Sequence, residues 1–196
     1  YFLKVSKSES YENYMKMDSW YWTSIFSNRY DQAVDTTSAA DVNAMKEWFK
    51  DGNKTPDFVK ELNVDAVDLD VERQTSAIYR GVINLIVLAG AFDFKTGKPP
   101  QFEKEKIQDD HIFPRSLYNC NLITNKTLIS TNAEKSNKSP SQYFEEMLQK
   151  HGKKELKRIL TSHFILEDAL DNLLEDNLND FLVKRKQAII NAVKER

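Results

Sequence analysis

One stretch of the chain, residues 101–152, departs from the helical patterning found before and after it. KIQDDHIF and TLIS inside it have the length and composition of short strands, and an asparagine-rich loop separates them. The segment SPSQYFEEMLQKHG then carries helix signals: Ser139 as N-cap, Pro140 at the first position, Gln142 completing a capping box and Gly152 at the end. The order strand–loop–strand–helix predicts an α+β protein, a mainly α body with a small β-containing insertion.

Helical patterns account for most of the remaining sequence. One pattern, behind Thr75 or Ser76 as N-cap, is apolar nearly all round, which indicates a helix in the core. We predict helices at residues 11–26, from an Asp41 N-cap to residues 51–52, at 77–89, and at roughly 153–175 and 178–195.

These patterns also predict the domain organisation. We expect a helical subdomain at residues 1–100, the insertion at 101–152, and C-terminal helices at 153–196 that pack on the body to give one compact unit. Because the chain does not begin with Met, we expect this unit to belong to a longer protein.

Composition excludes several classes of protein. A hydrophobic fraction of 40% excludes intrinsic disorder, and 196 residues suffice for a buried core. Cys120 is the only cysteine, which excludes an internal disulfide and a cysteine-ligated zinc site and favours a reducing, cytoplasmic setting. The apolar run at residues 81–92 is too short to cross a bilayer, and the N-terminal residues lack a signal core, so we expect no membrane partner.

Charge is distributed unevenly along the chain. Residues 31–75 hold five Lys or Arg against eleven Asp or Glu, a net of -6, whereas residues 111–160 hold nine against four, a net of +5. A basic segment beside a chemically active motif is suited to a polyanion such as DNA, although such a segment is also typical of a solvated helix face.

The most chemically suggestive motif is DDHIFPRS, residues 109–116. The carboxylate of Asp110 is the type of ligand that Mg²⁺ prefers, and a neighbouring Asn amide oxygen is suited to be a second ligand. The imidazole of His111 has an ordinary pKa near 6.5 and can accept a proton from water at neutral pH. Together with a metal ion, these groups can hydrolyse a phosphodiester bond.

The chain resembles the HNH, or ββα-metal, endonucleases, on the stretches DDHIFPRS, NKTLISTN and SNKSPSQYF. It is particularly similar to the C-terminal HNH region of GmrSD-type modification-dependent restriction enzymes, and WYWTSIFSNRY, AADVNAMKEWF and SAIYRGVINLIVLAGAFDFKTGKP extend the similarity upstream. The resemblance implies a strand–loop–strand–helix nuclease motif at residues 101–152 and a divalent cofactor, Mg²⁺ or Mn²⁺.

The resemblance also implies roles for individual residues. His111 is the expected general base and Asp110 the expected metal ligand. Asn125 takes the central position, whose side chain braces the metal loop by hydrogen bonds, with Asn119 and Asn121 as weaker alternatives. Asn132 takes the position of the second ligand. It lies closer to Asn125 than is usual in the family, which keeps Glu134 as a rival ligand.

Other candidates surround these residues. Asp109 is either an acid that steers His111 or a solvated side chain. Four cations, each also compatible with an ordinary surface position, are candidates for contacts to DNA phosphates: Arg115, Lys126, Lys135 and Lys138.

The expected function is metal-dependent hydrolysis of DNA by the nuclease part of a restriction or phage-defence protein. Relatives carry an N-terminal NTP-dependent domain, which we expect as a partner in the same longer chain, because no nucleotide-binding glycine loop occurs in this sequence. Two alternatives remain: a DNA-binding module that has lost catalysis, and a helical protein-interaction domain in which DDHIFPRS is only a turn.

Overall fold

The computed structural model describes residues 2–101, 103–104, 106–130, 135 and 138–196. Within them the chain is mostly helical with one small antiparallel sheet, which confirms the predicted mainly α, α+β class. The helices are α1 (Phe2–Val5), α2 (Tyr11–Phe26), α3 (Val34–Lys50), α4 (Asp57–Glu61), α5 (Ala77–Leu88), α6 (Arg115–Tyr118), α7 (Pro140–His151), α8 (Lys153–Thr161), α9 (Glu167–Leu174) and α10 (Leu178–Lys194). The strands are β1 (Ile107–His111) and β2 (Lys126–Ser130).

The two strands pair antiparallel across a loop that contains α6 and a 3-10 turn at Ile123–Asn125. In this register Asp110 faces Thr127 and His111 faces Lys126. Helix α7 follows, so the strand–loop–strand–helix order occurs where the sequence predicts it.

Two predicted helix starts are confirmed, because each depends only on residues a few positions apart. The hydroxyl of Ser76 accepts a hydrogen bond from the backbone N–H of Tyr79 and caps α5. Ser139 and Gln142 form the complete capping box of α7, with Pro140 at the first position.

Two predicted boundaries are wrong. Asp41 does not cap a helix but lies in the middle of α3, where its carboxylate binds Arg29 in a two-pronged ion pair. The helix expected at 153–175 is broken between α8 and α9, where Phe164 adopts a left-handed backbone conformation with φ 57°. The prediction for Asp41 failed because its carboxylate binds Arg29, a partner that the local helix-start pattern does not reveal. The second prediction failed because no glycine marks the left-handed turn.

The chain divides into two compact units, residues 1–67 with 193–196, and residues 68–192. The boundaries expected at residues 100 and 152 both fall inside the second unit. No helix in the described part of the chain combines the length and the apolar character needed to cross a bilayer.

The first unit is organised around the buried Asp41. Its carboxylate accepts hydrogen bonds from Arg29, from the Tyr30 hydroxyl at 2.6 Å and from the Trp20 indole at 3.3 Å. Burial favours a raised pKa for Asp41, but these donors outweigh it and hold the pKa below its usual value.

The second unit contains a continuous apolar core, in which the end of β1 and the start of the following loop pack against helices α7 to α10. Its fully or largely buried members are Phe94, Ile112, Phe113, Tyr143, Phe144, Met147, Leu156, Ile159, Leu160, Ile165, Ala169, Leu170, Leu173 and Phe181. Because Ile112 and Phe113 directly follow His111, this core fixes the end of β1 on which the candidate site is built.

Candidate active site

His111 ends β1 and is half-buried. Its Nε2 lies 3.0 Å from the Oδ1 atom of Asn121 in the connecting loop. With Nε2 donating its proton to that amide oxygen, the lone pair of the neutral ring is on Nδ1. Burial lowers the pKa of His111, the Asn121 hydrogen bond opposes this, and the positive charge of Lys126 lowers the pKa further. The neutral, proton-accepting form is therefore favoured at neutral pH.

The two faces of the hairpin carry different side chains, because successive residues of a strand point to opposite sides. Asp109, His111 and the cross-strand partner Lys126 share one face, which we call the outer face. Asp110 and its partner Thr127 share the other, which we call the inner face because Thr127 on it is fully buried.

Asp110 is paired with a buried cation. The Nζ atom of Lys135 lies 3.0 Å from Asp110 Oδ2 and 2.5 Å from the backbone carbonyl oxygen of His111. The Lys135 side chain is only 6% exposed, whereas that of Asp110 is 39% exposed. Burial lowers the pKa of Lys135, and the charge of Asp110 opposes that shift.

Asn125 is fully buried and ties the connecting loop back onto itself. Its Oδ1 accepts from the N–H of Phe113, and its Nδ2 donates to the carbonyl oxygens of Phe113 and Cys120. These are bracing hydrogen bonds of the kind that the resemblance implies for the central Asn. The two alternatives are placed elsewhere: Asn121 contacts His111, and Asn119 ends α6 in a left-handed conformation with φ 49°.

Asp109 is held on the outer face by three partners. It accepts hydrogen bonds from the Tyr79 hydroxyl of α5 and, at 2.9 Å, from Gln74 Nε2, while Lys126 Nζ lies 3.9 Å away. Burial raises the pKa of Tyr79, and the hydrogen bond to Asp109 adds to the shift. Asp109 thus joins β1 to α5, and no hydrogen bond links it to His111 among the described contacts.

A cleft of about 580 Å³ opens at His111. Exposed guanidinium groups of Arg73 and Arg115 contribute positive charge to its wall. It is lined by Glu72, Arg73, Gln74, Thr75, Asp109, His111, Arg115, Asn121 and Lys126. The cations Arg73, Arg115 and Lys126 outnumber the acids Glu72 and Asp109 in this lining, which suits the cleft to an anionic substrate.

The four cations proposed for phosphate contacts are placed differently. Arg115 is exposed in the cleft. Lys126 and Lys135 are buried, next to Asp109 and Asp110 respectively. Lys138 binds both carboxylate oxygens of Glu146 at 2.6 Å.

The ligand set expected for a divalent ion is described only in part. Asn132 and Glu134, the two rivals for the second ligand, lie outside the described residues. Among the residues that are described, no three His, Cys, Asp or Glu side chains converge on a common point. Asp110 is the one described member of the expected pair.

The surroundings of Asp110 nevertheless fit a hard cation. The Lys135 ammonium is itself a stand-in cation, held by a carboxylate oxygen and a backbone carbonyl oxygen, the two ligand types that Mg²⁺ and Ca²⁺ accept. The buried Tyr143 hydroxyl, whose ring lies 5.9 Å from that ammonium, has no hydrogen-bond partner among the described groups. One carboxylate with bound water is a common Mg²⁺ arrangement.

Two buried residues that come later in the chain, His163 and Arg185, hold β2 and the 3-10 turn in place by hydrogen bonds. The Thr127 hydroxyl lies 2.5 Å from Nδ1 of the fully buried His163, whose Nε2 is 2.6 Å from the carbonyl oxygen of Phe92. Arg185 of α10, also fully buried, donates to the carbonyl oxygen of Thr124 at 2.7 Å and to that of His163. The 3-10 turn and β2 are thereby fixed to the C-terminal helices.

Sequence reasoning did not identify several of these partners. The sequence indicates Asn121 only as an alternative central Asn, and it does not point to Tyr79 and Gln74, which hold Asp109. No local pattern marks them, because Tyr79 and Asp109 are separated by 30 positions. The sequence predicts Lys135 as a phosphate contact or an ordinary surface cation, whereas the structure buries it beside Asp110.

Comparison with known proteins identifies a relative whose activity is not characterized. The chain is similar to the uncharacterized protein MJ0686 of Methanocaldococcus jannaschii, at 31% identity over 215 residues, covering 92% of this chain. The chain spans 37% of the length of that protein. No family model and no solved structure matches the chain.

Proposed function

We propose that this chain is a metal-dependent DNA endonuclease of the HNH, or ββα-metal, type. One observation carries the proposal. A strand–loop–strand–helix unit has Asp110 and His111 at the end of its first strand, and a buried Asn125 ties its loop to the residues just after them. These are the three residues to which the motif resemblance assigns the metal ligand, the base and the central Asn.

The outer face supports a role for His111 as general base. Asn121 fixes the ring through Nε2, so that Nδ1 is available to accept a proton from water. The resulting hydroxide attacks phosphorus and the bond from phosphorus to the 3′ oxygen breaks. The 3′ oxygen takes up a proton from solvent, so the products are a 5′-phosphate and a 3′-hydroxyl. Arg73 and Arg115 provide positive charge in the cleft where the strand would bind.

The inner face supports a role for Asp110 in holding Mg²⁺ or Mn²⁺, with Asn132 or Glu134 as the proposed second ligand. A bound divalent cation supplies positive charge that stabilises the departing 3′ oxygen. Asp110 and His111 point to opposite faces but are the last two residues of β1, so a phosphate at this strand end would have to reach both the His111 ring and an ion held by Asp110.

We further propose that the activity serves a restriction or phage-defence protein. This proposal rests on the resemblance to GmrSD-type enzymes and includes their N-terminal NTP-dependent domain as the partner in the same polypeptide.

The proposal is tested by plasmid cleavage with Mg²⁺, Mn²⁺ or EDTA, comparing wild type, His111→Ala and His151→Ala. His151 is the matched control, since its Nε2 contacts the carbonyl oxygen of Phe94, outside the cleft. We expect metal-dependent nicking that falls by about 10²- to 10⁴-fold in His111→Ala and is retained in His151→Ala.

Two results would contradict the proposal. Undiminished cleavage by His111→Ala would remove His111 as the base. If the folded full-length wild-type protein does not cleave DNA in the presence of NTP, one of the two alternatives is favoured. A measurement of DNA binding in EDTA would then distinguish a DNA-binding module from a protein-interaction domain.

A further inference from the structure

The feature that the proposed mechanism does not use is the buried ammonium of Lys135. It contacts Asp110 Oδ2 at 3.0 Å and the His111 carbonyl oxygen at 2.5 Å. The rings of Phe94 and Tyr143 lie 5.7 and 5.9 Å from its Nζ. The described contacts of the ammonium thus include two oxygen atoms and two aromatic rings.

Such a site is specific for a cation. Burying an ammonium is unfavourable unless negatively charged and polar oxygens compensate, and two oxygens and two ring faces do so here. The Asp110 oxygen that compensates Lys135 belongs to the proposed metal ligand. A divalent ion and an ammonium this close to one carboxylate would repel each other strongly in a partly buried environment.

We propose that Lys135 is a resident counter-cation of Asp110, which a divalent metal ion must displace in order to bind. This inference rests on the proposed function. It means that Asp110 binds one of two alternative cations, the Lys135 ammonium of the chain itself or a divalent ion from solution. In the metal-free state Lys135 neutralises Asp110, and metal uptake releases the ammonium from the inner face.

Release also gives the ammonium a second use. A Lys135 side chain displaced from Asp110 can contact a phosphate group beside the metal ion. The buried position in the metal-free protein and the phosphate contact expected from the sequence then belong to two states of the same side chain.

The first test measures Mn²⁺ affinity from the loss of the free-ion electron paramagnetic resonance signal, without DNA, on the full-length protein. Lys135→Met removes the competing charge and keeps an unbranched apolar stem between Phe94 and Tyr143. Lys138→Met is the matched control, because it removes the same charge from a lysine paired with Glu146. Asp110→Asn reports whether the measured site is the proposed one.

We expect Lys135→Met to bind Mn²⁺ at least about tenfold more tightly than wild type, and Lys138→Met to equal wild type. Equal or weaker binding by folded Lys135→Met, with wild-type binding lost in Asp110→Asn, overturns the exchange and leaves the nuclease proposal standing. Absence of binding in every variant overturns both the exchange and the proposed metal site.

A second measurement uses the unaltered side chain, so it does not depend on the folding of a variant. Lysines are acetylated briefly with and without Mn²⁺, and each site is quantified by mass spectrometry. We expect acetylation of Lys135 to rise several-fold when Mn²⁺ binds, and that of Lys138 to stay unchanged. Equal protection of Lys135 in metal-free and metal-bound protein contradicts the exchange.

Discussion

The three histidines of the chain have three different environments, and their neighbours determine what each can do. His111 is half-buried with Asn121 on one ring nitrogen and a cleft beside it. His151 contacts the carbonyl oxygen of Phe94. His163 is fully buried, with Thr127 and Phe92 engaging its two ring nitrogens. Of the three, His111 alone is both near a cleft with basic side chains and beside a candidate metal ligand.

Because His163 is fully buried, we expect the protein to lose stability as the pH is lowered. Burial lowers its pKa to about 3, well below the ordinary 6.5. Above pH 6.5 the ring is neutral in both folded and unfolded chains. As the pH falls from 6.5 towards 3, only the unfolded chain takes up the proton, so this contribution to stability is lost at about 1.4 kcal/mol per pH unit.

The measurement is urea unfolding between pH 7.5 and pH 5 for wild type and His163→Gln. Between pH 6.5 and 5 we expect wild type to lose about 2 kcal/mol more stability than the variant. Because other acid-sensitive groups, such as Asp41, are common to both proteins, the difference isolates His163. Parallel pH profiles would show that this ring is not buried in the neutral form.

At the scale of elements, the β hairpin depends on a loop held by side chains. Two asparagines in this loop, four positions apart, have separate tasks. Asn125 satisfies backbone groups of Phe113 and Cys120, whereas Asn121 contacts the His111 ring. Stability and activity should therefore respond to different asparagines.

Alanine substitution at each position tests this division. Asn125→Ala removes the side-chain partner of two buried backbone groups of Phe113 and of the part-buried carbonyl of Cys120, so we expect a loss of at least about 3 kcal/mol in the free energy of unfolding. Asn121→Ala should change stability by less than about 0.5 kcal/mol but lower kcat by about 10- to 100-fold, with little change in KM. Urea unfolding and cleavage kinetics provide the two readouts. If Asn121→Ala unfolded as readily as Asn125→Ala, Asn121 would be a structural residue rather than one that positions His111.

The elements themselves were predictable where their signals are local. Ser76 and Ser139 cap their helices through residues three positions away, and the sequence contains that information directly. Asp41 resembles an N-cap by the same local rule, yet Arg29 and Tyr30 bind it in the middle of α3. The break at Phe164 uses a left-handed backbone without glycine, so no residue in the sequence marks it.

The candidate site was predictable in its chemistry but not in its supports. Asp110, His111 and Asn125 belong to one motif and occur together in the structure. The side chains that hold the surrounding segment come from elsewhere in the chain, and only folding brings them near. Tyr79 binds Asp109, Lys135 binds Asp110, and Arg185 binds the carbonyl oxygen of Thr124.

At the scale of the whole molecule, the basic segment carries less free positive charge than its composition indicates. Five of its nine cations lie within 4 Å of a carboxylate: Lys126, Lys135, Lys138, Lys157 and Arg158. The exposed guanidinium groups of the cleft belong to Arg73 and Arg115, and Arg73 lies outside the basic segment.

This pairing predicts the salt dependence of DNA binding. If the cleft arginines and one further cation neutralise phosphates, log K should fall with log salt at a slope of about −2 to −3, whereas nine free cations would give about −8. Fluorescence anisotropy of a labelled duplex in EDTA measures the slope without cleavage. Arg73→Ala should reduce its magnitude by about one, and Arg80→Ala, an exposed arginine of α5 outside the cleft, should not. A slope near zero would exclude binding through phosphates.

The buried Arg185 would limit the transfer of the candidate motif to another protein. The motif occupies residues 101–152, yet its 3-10 turn is held by a guanidinium 61 positions from Thr124, and β2 is held by His163, 36 positions from Thr127. A graft of the motif alone onto another scaffold would leave the Thr124 carbonyl and the Thr127 hydroxyl without their partners. The smallest segment that could be transferred with these contacts intact therefore includes helix α10. Among variants of this protein, we expect changes in the hairpin to occur together with changes in α10 rather than in the hairpin alone.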